Sequence, residues 1–177
     1  MRQTKIKAMT LCALFAALTA VLSQIAIPLA PVPVNLATFA VFLAGGLLGG
    51  KLGALSQAVY VLLGAFGLPV FAGMTGGFSR IVGPTGGYIA GYVAAAYLTG
   101  LLVERLPRGF WSGVFAMICG LAACYALGTL WFLYLTGSDL VSALGVCVVP
   151  FLPGDAIKIA AASLIAHRLK KSVTQLI

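Results

Sequence analysis

Charge, and acidic charge above all, is what this sequence has little of. Among 177 residues there are three Asp and Glu, eleven Lys and Arg, and a single His. Charged residues make up 8% of the chain, against roughly 25% in a soluble domain, so a water-facing surface cannot be covered. The same scarcity empties most catalytic sets. There is no paired carboxylate for acid–base chemistry, no G-x-S-x-G and no cluster of metal ligands. The only histidine, His167, stands beside Arg168 at the end of an apolar run, as an interfacial residue rather than a base. The four cysteines, Cys12, Cys119, Cys124 and Cys147, lie in apolar stretches without a CxxC pair and read as small packing residues. The expectation is a protein that is not an enzyme and holds no metal or cofactor.

What is abundant is apolar sequence: 62% of residues are hydrophobic and the mean hydropathy is +1.11. A helix needs about 20 apolar residues to cross a bilayer, so six crossings use about 120, leaving short connections and no room for a soluble domain. The chain is therefore expected to form one all-α transmembrane domain over residues 1–177. Spans are predicted at 8–27, 36–48, 52–68, 86–103, 110–133 and 144–166. The basic start followed by an apolar run imitates a secretory signal, but the run continues to Ile27, far enough to be a retained first span. Pro28, Pro31 and Pro33 break the chain after it.

The basic residues sort with this count. Arg2, Lys5, Lys7, Lys51, Arg105, Arg108, Arg168, Lys170 and Lys171 fall on one side, Arg80 alone on the other, and Lys158 within a span. Nine, one and one account for all eleven, and the positive-inside rule then places both termini in the cytoplasm. A charge of +8 distributed in small clusters between apolar runs does not make a nucleic-acid face. The outer side holds a Pro-rich loop at 28–35, a long Gly-rich loop at 69–85 and the turn near Asp139. A long loop of this kind between spans is expected to be a lid or binding element, and the glycines at 73, 76, 77 and 83 to make it flexible.

Of the three acids, Glu104 and Asp139 stand at span ends. Asp155 lies inside the last apolar run, in Pro150-Phe151-Leu152-Pro153-Gly154-Asp155-Ala156-Ile157-Lys158. An ionisable residue at membrane depth marks a functional site by default, and Lys158 shares its helix face at i+3. Pro150, Pro153 and Gly154 argue against a continuous helix, with a new helix starting near Pro153 and Asp155 in its first turn. Irregular backbone at this depth must border protein or a wet cavity, so the sixth span is expected to be broken beside a cavity open to the outside.

Gly83-Pro84-Thr85-Gly86-Gly87-Tyr88 is a second constellation, in which glycines allow close backbone approach and Tyr88 offers a ring and a hydroxyl. Gly87 and Gly91 are also at small-xxx-small spacing, so helix packing is an equal reading. Two more such pairs, Ala13/Ala17 and Ala16/Ala20, occur in the first span. Gly45 to Leu52 imitates a phosphate loop, but Leu52 stands where Ser or Thr would hold magnesium. No means of hydrolysing ATP is visible.

Pro31-Val32-Pro33-Val34, Gly67-Leu68-Pro69-Val70-Phe71-Ala72-Gly73, Gly83-Pro84-Thr85-Gly86-Gly87-Tyr88 and Pro150-Phe151-Leu152-Pro153-Gly154-Asp155 with Lys158 occur in this order over nearly the whole chain. Together they resemble the BioY family, the biotin-binding S components of energy-coupling factor (ECF) transporters. The resemblance implies a six-helix protein of the cell membrane with an outward-facing vitamin pocket. It also implies a transmembrane T component and two cytoplasmic ATPases as partners, ATP being used only by them. Asp155 and Lys158 occupy the positions of the family's last-helix binding pair. Asn35, Tyr88, Arg80, Gly86 and Phe151 complete the candidate substrate-binding set. Ala13 and Ala17 match the family's T-component contact, with Ala16 and Ala20 as neighbouring candidates. Asn35 stands near a position where family members often carry glutamine, and Gly49-Gly50-Lys51-Leu52-Gly53 departs from the family's Gly-Pro-Arg-Arg-Gly turn. Whether Lys158 meets the urea carbonyl or the carboxylate of biotin stays open. So do the alternatives of an S component for another vitamin and of a stand-alone carrier.

Overall fold

A computed structural model describes residues 2–27 and 32–174. It is mostly helical, and in chain order the elements are α1 (Arg2–Ser23), β1 (Ala26–Ile27), β2 (Val34–Asn35), α2 (Ala37–Leu48), α3 (Gly50–Ala65), α4 (Phe78–Val82), α5 (Gly86–Arg105), α6 (Phe110–Thr136), α7 (Leu140–Cys147), a 3-10 turn (Val149–Phe151) and α8 (Leu152–Thr174). Among the described residues, four segments are long and apolar enough to cross a membrane: Lys5–Ser23, Gly86–Arg105, Phe110–Thr136 and Leu140–Val173.

The shortest of the main helices is the most enclosed. α2 packs against α1, α3, α5 and α8, and nearly all of its residues, Ala40 through Leu48 among them, are buried. Its 12 residues reach only about 18 Å at 1.5 Å per residue. Gly49, at a φ of 84°, makes the sharp turn into α3, and the Glu104 carboxylate accepts a hydrogen bond from the Gly50 N–H at 3.0 Å. The core has two parts. One, around Phe15, Phe42, Leu43, Met117 and Ile159, fills the basic end. The other is aromatic, built on Tyr60, Phe71, Tyr88, Tyr92, Phe132 and Phe151.

Several expectations need correction. The first helix begins at Arg2 and ends at Ser23; Ile27 belongs instead to a two-stranded antiparallel ladder that pairs Ala26 with Asn35 and Ile27 with Val34. Pro28 and Pro31 lie outside the described residues. The last apolar run is broken where expected, by a 3-10 turn carrying Pro150, but it starts earlier, with α7 at Leu140, and continues further, with α8 reaching Thr174. Pro153 falls in the first turn of α8, where a missing N–H costs no intrahelical bond, with Asp155 in the same turn.

The 66–85 segment is tied down rather than loose. Phe71 and Thr75 exchange backbone hydrogen bonds, and the Gly77 N–H donates to Gly64 O at 2.7 Å. The end of α1 straps it: Ser23 Oγ donates to Val70 O at 2.6 Å, Gln24 Nε2 donates to Val70 O and Phe71 O, and Gln24 Oε1 accepts from the Met74 N–H at 2.8 Å. Trp131 Nε1 holds Gly83 O from α6 at 2.9 Å. The positive φ angles of Gly73 and Gly77 serve these turns.

Candidate functional site

The first turn of α8 carries Asp155, and one helical step further lies Lys158. Both are buried, at 2% and 7% exposure, and Lys158 Nζ donates to Asp155 Oδ1 at 2.9 Å. Thr38, in the first turn of α2, closes a triangle. Its hydroxyl donates to Asp155 Oδ1 at 3.3 Å and accepts from Lys158 Nζ at 3.2 Å. The second carboxylate oxygen accepts a hydrogen bond from the Tyr125 hydroxyl of α6. Two desolvated charges survive at this depth because each lone pair and proton that meets protein is given a partner. Three helices converge to supply those partners.

Around this polar knot runs a narrow cavity in two adjoining chambers. Thr38, Tyr125, Tyr88, Phe151, Asp155 and Lys158 line the inner one, of about 40 Å³. Tyr60, Phe71, Thr75, Arg80, Thr85 and Ile89 line the outer one, of about 90 Å³. Val32, Pro33, Asn35 and Tyr92 border both. These volumes fall short of the roughly 300–1,000 Å³ of small-molecule sites, so a vitamin-sized ligand enters only if the walls part.

Local sequence explains the aromatic lining. Phe71 sits edge-on to Tyr60, ring centroids 5.6 Å apart, in space that a side chain at Gly64 would fill. Tyr88 lies over Gly128 of α6 in the same way and its hydroxyl pairs with Thr129 Oγ1 at 3.0 Å. The Asn35 carbonyl accepts from the Ala37 N–H at 3.0 Å, which fixes its amide at the junction of the chambers beside the Tyr92 hydroxyl.

Of the candidate residues, Asp155, Lys158, Tyr88, Asn35, Phe151 and Arg80 line the cavity. Asp155 and Lys158 sit at one end, and Arg80 is at the other. Gly86 does not; it is buried where the chain passes tightly against Ile81. Gly87 and Gly91 pack α5 onto α6, at Leu127, Trp131 and Cys124. Thr38, Tyr125, Tyr92 and Tyr60 are pocket residues that sequence reasoning missed; each was a lone polar-tipped residue in an apolar run, which was the available signal. On α1, Ala13 and Ala17 are exposed, Ala16 is buried at 2% and Ala20 is half-buried. Of the second alanine pair, Ala16 therefore faces the core, while Ala20 keeps part of its surface outside it. All four cysteines are free thiols, with Cys124 and Cys147 lining the inner chamber.

Fold and site together define a multi-pass helical membrane protein with a narrow, largely aromatic cavity around a buried ion pair. The family model described as the BioY family matches residues 1–175, and the chain belongs to that family. It is 48% identical over 161 residues to the biotin transporter BioY of Thermotoga maritima, covering 89% of this chain and 92% of that protein. It is 43% identical over 166 residues to the probable biotin transporter BioY of Pyrococcus horikoshii, covering 94% and 98%. A crystal structure of the S-component for biotin from an ECF-type ABC transporter superposes with a TM-score of 0.89 at 29% identity, over 97% of this chain and 94% of that one.

Proposed function

We propose that this chain captures biotin as the substrate-binding subunit of an ECF-type uptake transporter. The observation that carries the reading is the polarity of the cavity. A buried carboxylate and ammonium stand at its inner end and a guanidinium at its outer end, with aromatic walls between. Biotin has the matching order: a cyclic urea, an apolar thioether ring and a carboxylated tail. In this reading Asp155 accepts the urea N–H groups and Lys158 donates to the urea carbonyl. Arg80, as a second cation at the far end, takes the carboxylate, and Tyr88, Tyr92 and Phe151 cover the ring. The relatives named above support the ligand.

The finer architecture belongs to the same proposal. α1, α2, α3, α5, α6 and α8 are the six crossings, α7 being the outer half of the last, and the nine-to-one division of basic residues puts both termini in the cytoplasm. The chain forms one transmembrane domain. Net uptake needs an energy source, and the sequence shows no ATP site, so a T component and two ATPases drive release. The Ala13/Ala17 face is the docking surface, because small residues let a second helix approach. The pocket binds without a cofactor.

Thermal unfolding of the purified protein with a panel of vitamins tests the ligand. Biotin alone should raise the melting temperature. Stabilisation by a different vitamin, or by none, would overturn the assignment.

A further inference from the structure

A larger cleft lies at the opposite end of the molecule from the ligand cavity. It measures about 890 Å³ and opens between the 106–109 turn, the start of α6 and the last turns of α8. Arg108, Arg168, Lys170 and Lys171 line it, and beside them its wall is apolar, with Val103, Leu106 and Pro107. Lys170 is partly committed, donating to Gly46 O at 2.7 Å, while Arg108, Arg168 and Lys171 are exposed.

Among the described residues one acid, Glu104, borders that cluster of four cations, which keeps a net positive charge. Its carboxylate accepts from the Gly50 N–H and its charge also acts on Lys170, which leaves Arg108, Arg168 and Lys171 in excess. Asp139 caps α7 through the Val141 N–H, and Asp155 is paired with Lys158. The beginning of the 27-residue helix α6 adds to the positive field. Its cap residue Gly109 gives no side-chain hydrogen bond, and Gly109, Ser112 and Gly113 border the cleft, so the helix's first amides and the positive end of its dipole favour an anion there. Trp111, 78% exposed, marks the level where apolar helix meets water, since exposed Trp gathers at the membrane interface.

A free anion would use the cations and leave the apolar wall without a role. A molecule with an anionic head and apolar chains uses both, and basic pockets between membrane helices are suited to such head groups. We propose that this cleft binds an anionic glycerophospholipid, its phosphate held by Arg108, Arg168 and Lys171 and its chains lying along Val103, Leu106 and Pro107. The lipid would join the turn between α5 and α6 to the end of α8. The site is separate from the vitamin pocket and does not depend on the ligand assigned to it.

Native mass spectrometry of the purified full-length protein tests this, with equal amounts of phosphatidylglycerol and phosphatidylcholine added. Phosphatidylglycerol should be retained in preference, and Arg108→Gln, Arg168→Gln and Lys171→Gln should each lower that preference roughly fivefold. Arg105→Gln, outside the cleft, should leave it unchanged, and unaltered thermal unfolding checks that the variants fold. Equal retention of the two lipids, or no effect of the three substitutions, overturns the proposal. So does displacement of phosphatidylglycerol by millimolar inorganic phosphate, which would assign the cations to a free anion. Loss of T-component association in the triple variant with lipid retention unchanged would make the cleft a protein-docking surface instead.

Discussion

Lys158 Nζ lies 2.9 Å from Asp155 Oδ1, and both side chains are buried. Such a pair is weak evidence for stability, because desolvating two charges offsets most of their attraction, yet removing one partner strands the other at a cost of about 3–5 kcal/mol. Structural and binding roles are separable on that basis. Asp155→Asn and Lys158→Ala should each lower both melting temperature and biotin affinity, affinity by about a hundredfold or more. The double variant Asp155→Asn/Lys158→Met removes both charges. It should recover most of the melting temperature while biotin binding, measured by calorimetry in detergent, stays lost. Normal affinity in the single variants would refute the site.

Tyr125 extends the same knot from α6, its hydroxyl donating to the free oxygen of Asp155. A hydrogen bond to a charged group contributes about 1.5–3 kcal/mol. Tyr125→Phe should therefore weaken biotin binding by roughly tenfold or more, because Asp155 loses the group that orients it. An unchanged dissociation constant would limit Tyr125 to a packing role.

Arg80 is the cation at the far end of the cavity. If it meets the carboxylate, Arg80→Ala should weaken biotin while leaving the already weaker binding of biotin methyl ester nearly unchanged. Competition binding with both ligands on both proteins measures this. An equal loss for acid and ester would remove Arg80 from the tail and return Lys158 to consideration.

Gln24 clasps the 66–85 segment from the end of α1 through Val70, Phe71 and Met74. If the segment is the lid through which a ligand enters, breaking this clasp should make it open more often. Gln24→Ala should speed tryptic cleavage at Arg80, and bound biotin should slow it in both proteins. Cleavage indifferent to ligand would show that the segment is not a lid.

Ala13 and Ala17 share the exposed side of α1. Changing both to Leu should leave biotin affinity intact and abolish ATP-driven uptake by the assembled transporter, because bulk there keeps a second helix at a distance. Normal uptake would place the docking surface elsewhere. Without partners, the chain in sealed vesicles should not accumulate biotin above the outside concentration.

The Asp155–Lys158 pair was legible in the sequence because helix geometry relates residues three apart, and a charge in an apolar run is conspicuous. The broken helix beside it followed from Pro150, Pro153 and Gly154, whose backbone limits are local. Membrane residence followed from composition alone. What the tertiary structure decided is everything joined across the chain. Thr38 meets Asp155 over a separation of 117 residues and Tyr125 over 30, and no local pattern relates them. Facing was hidden as well: Ala16 is buried and Ala17 exposed on one apolar helix. In water a helix shows its inner face by hydrophobic contrast, but in lipid both faces are apolar, so only packing distinguishes them.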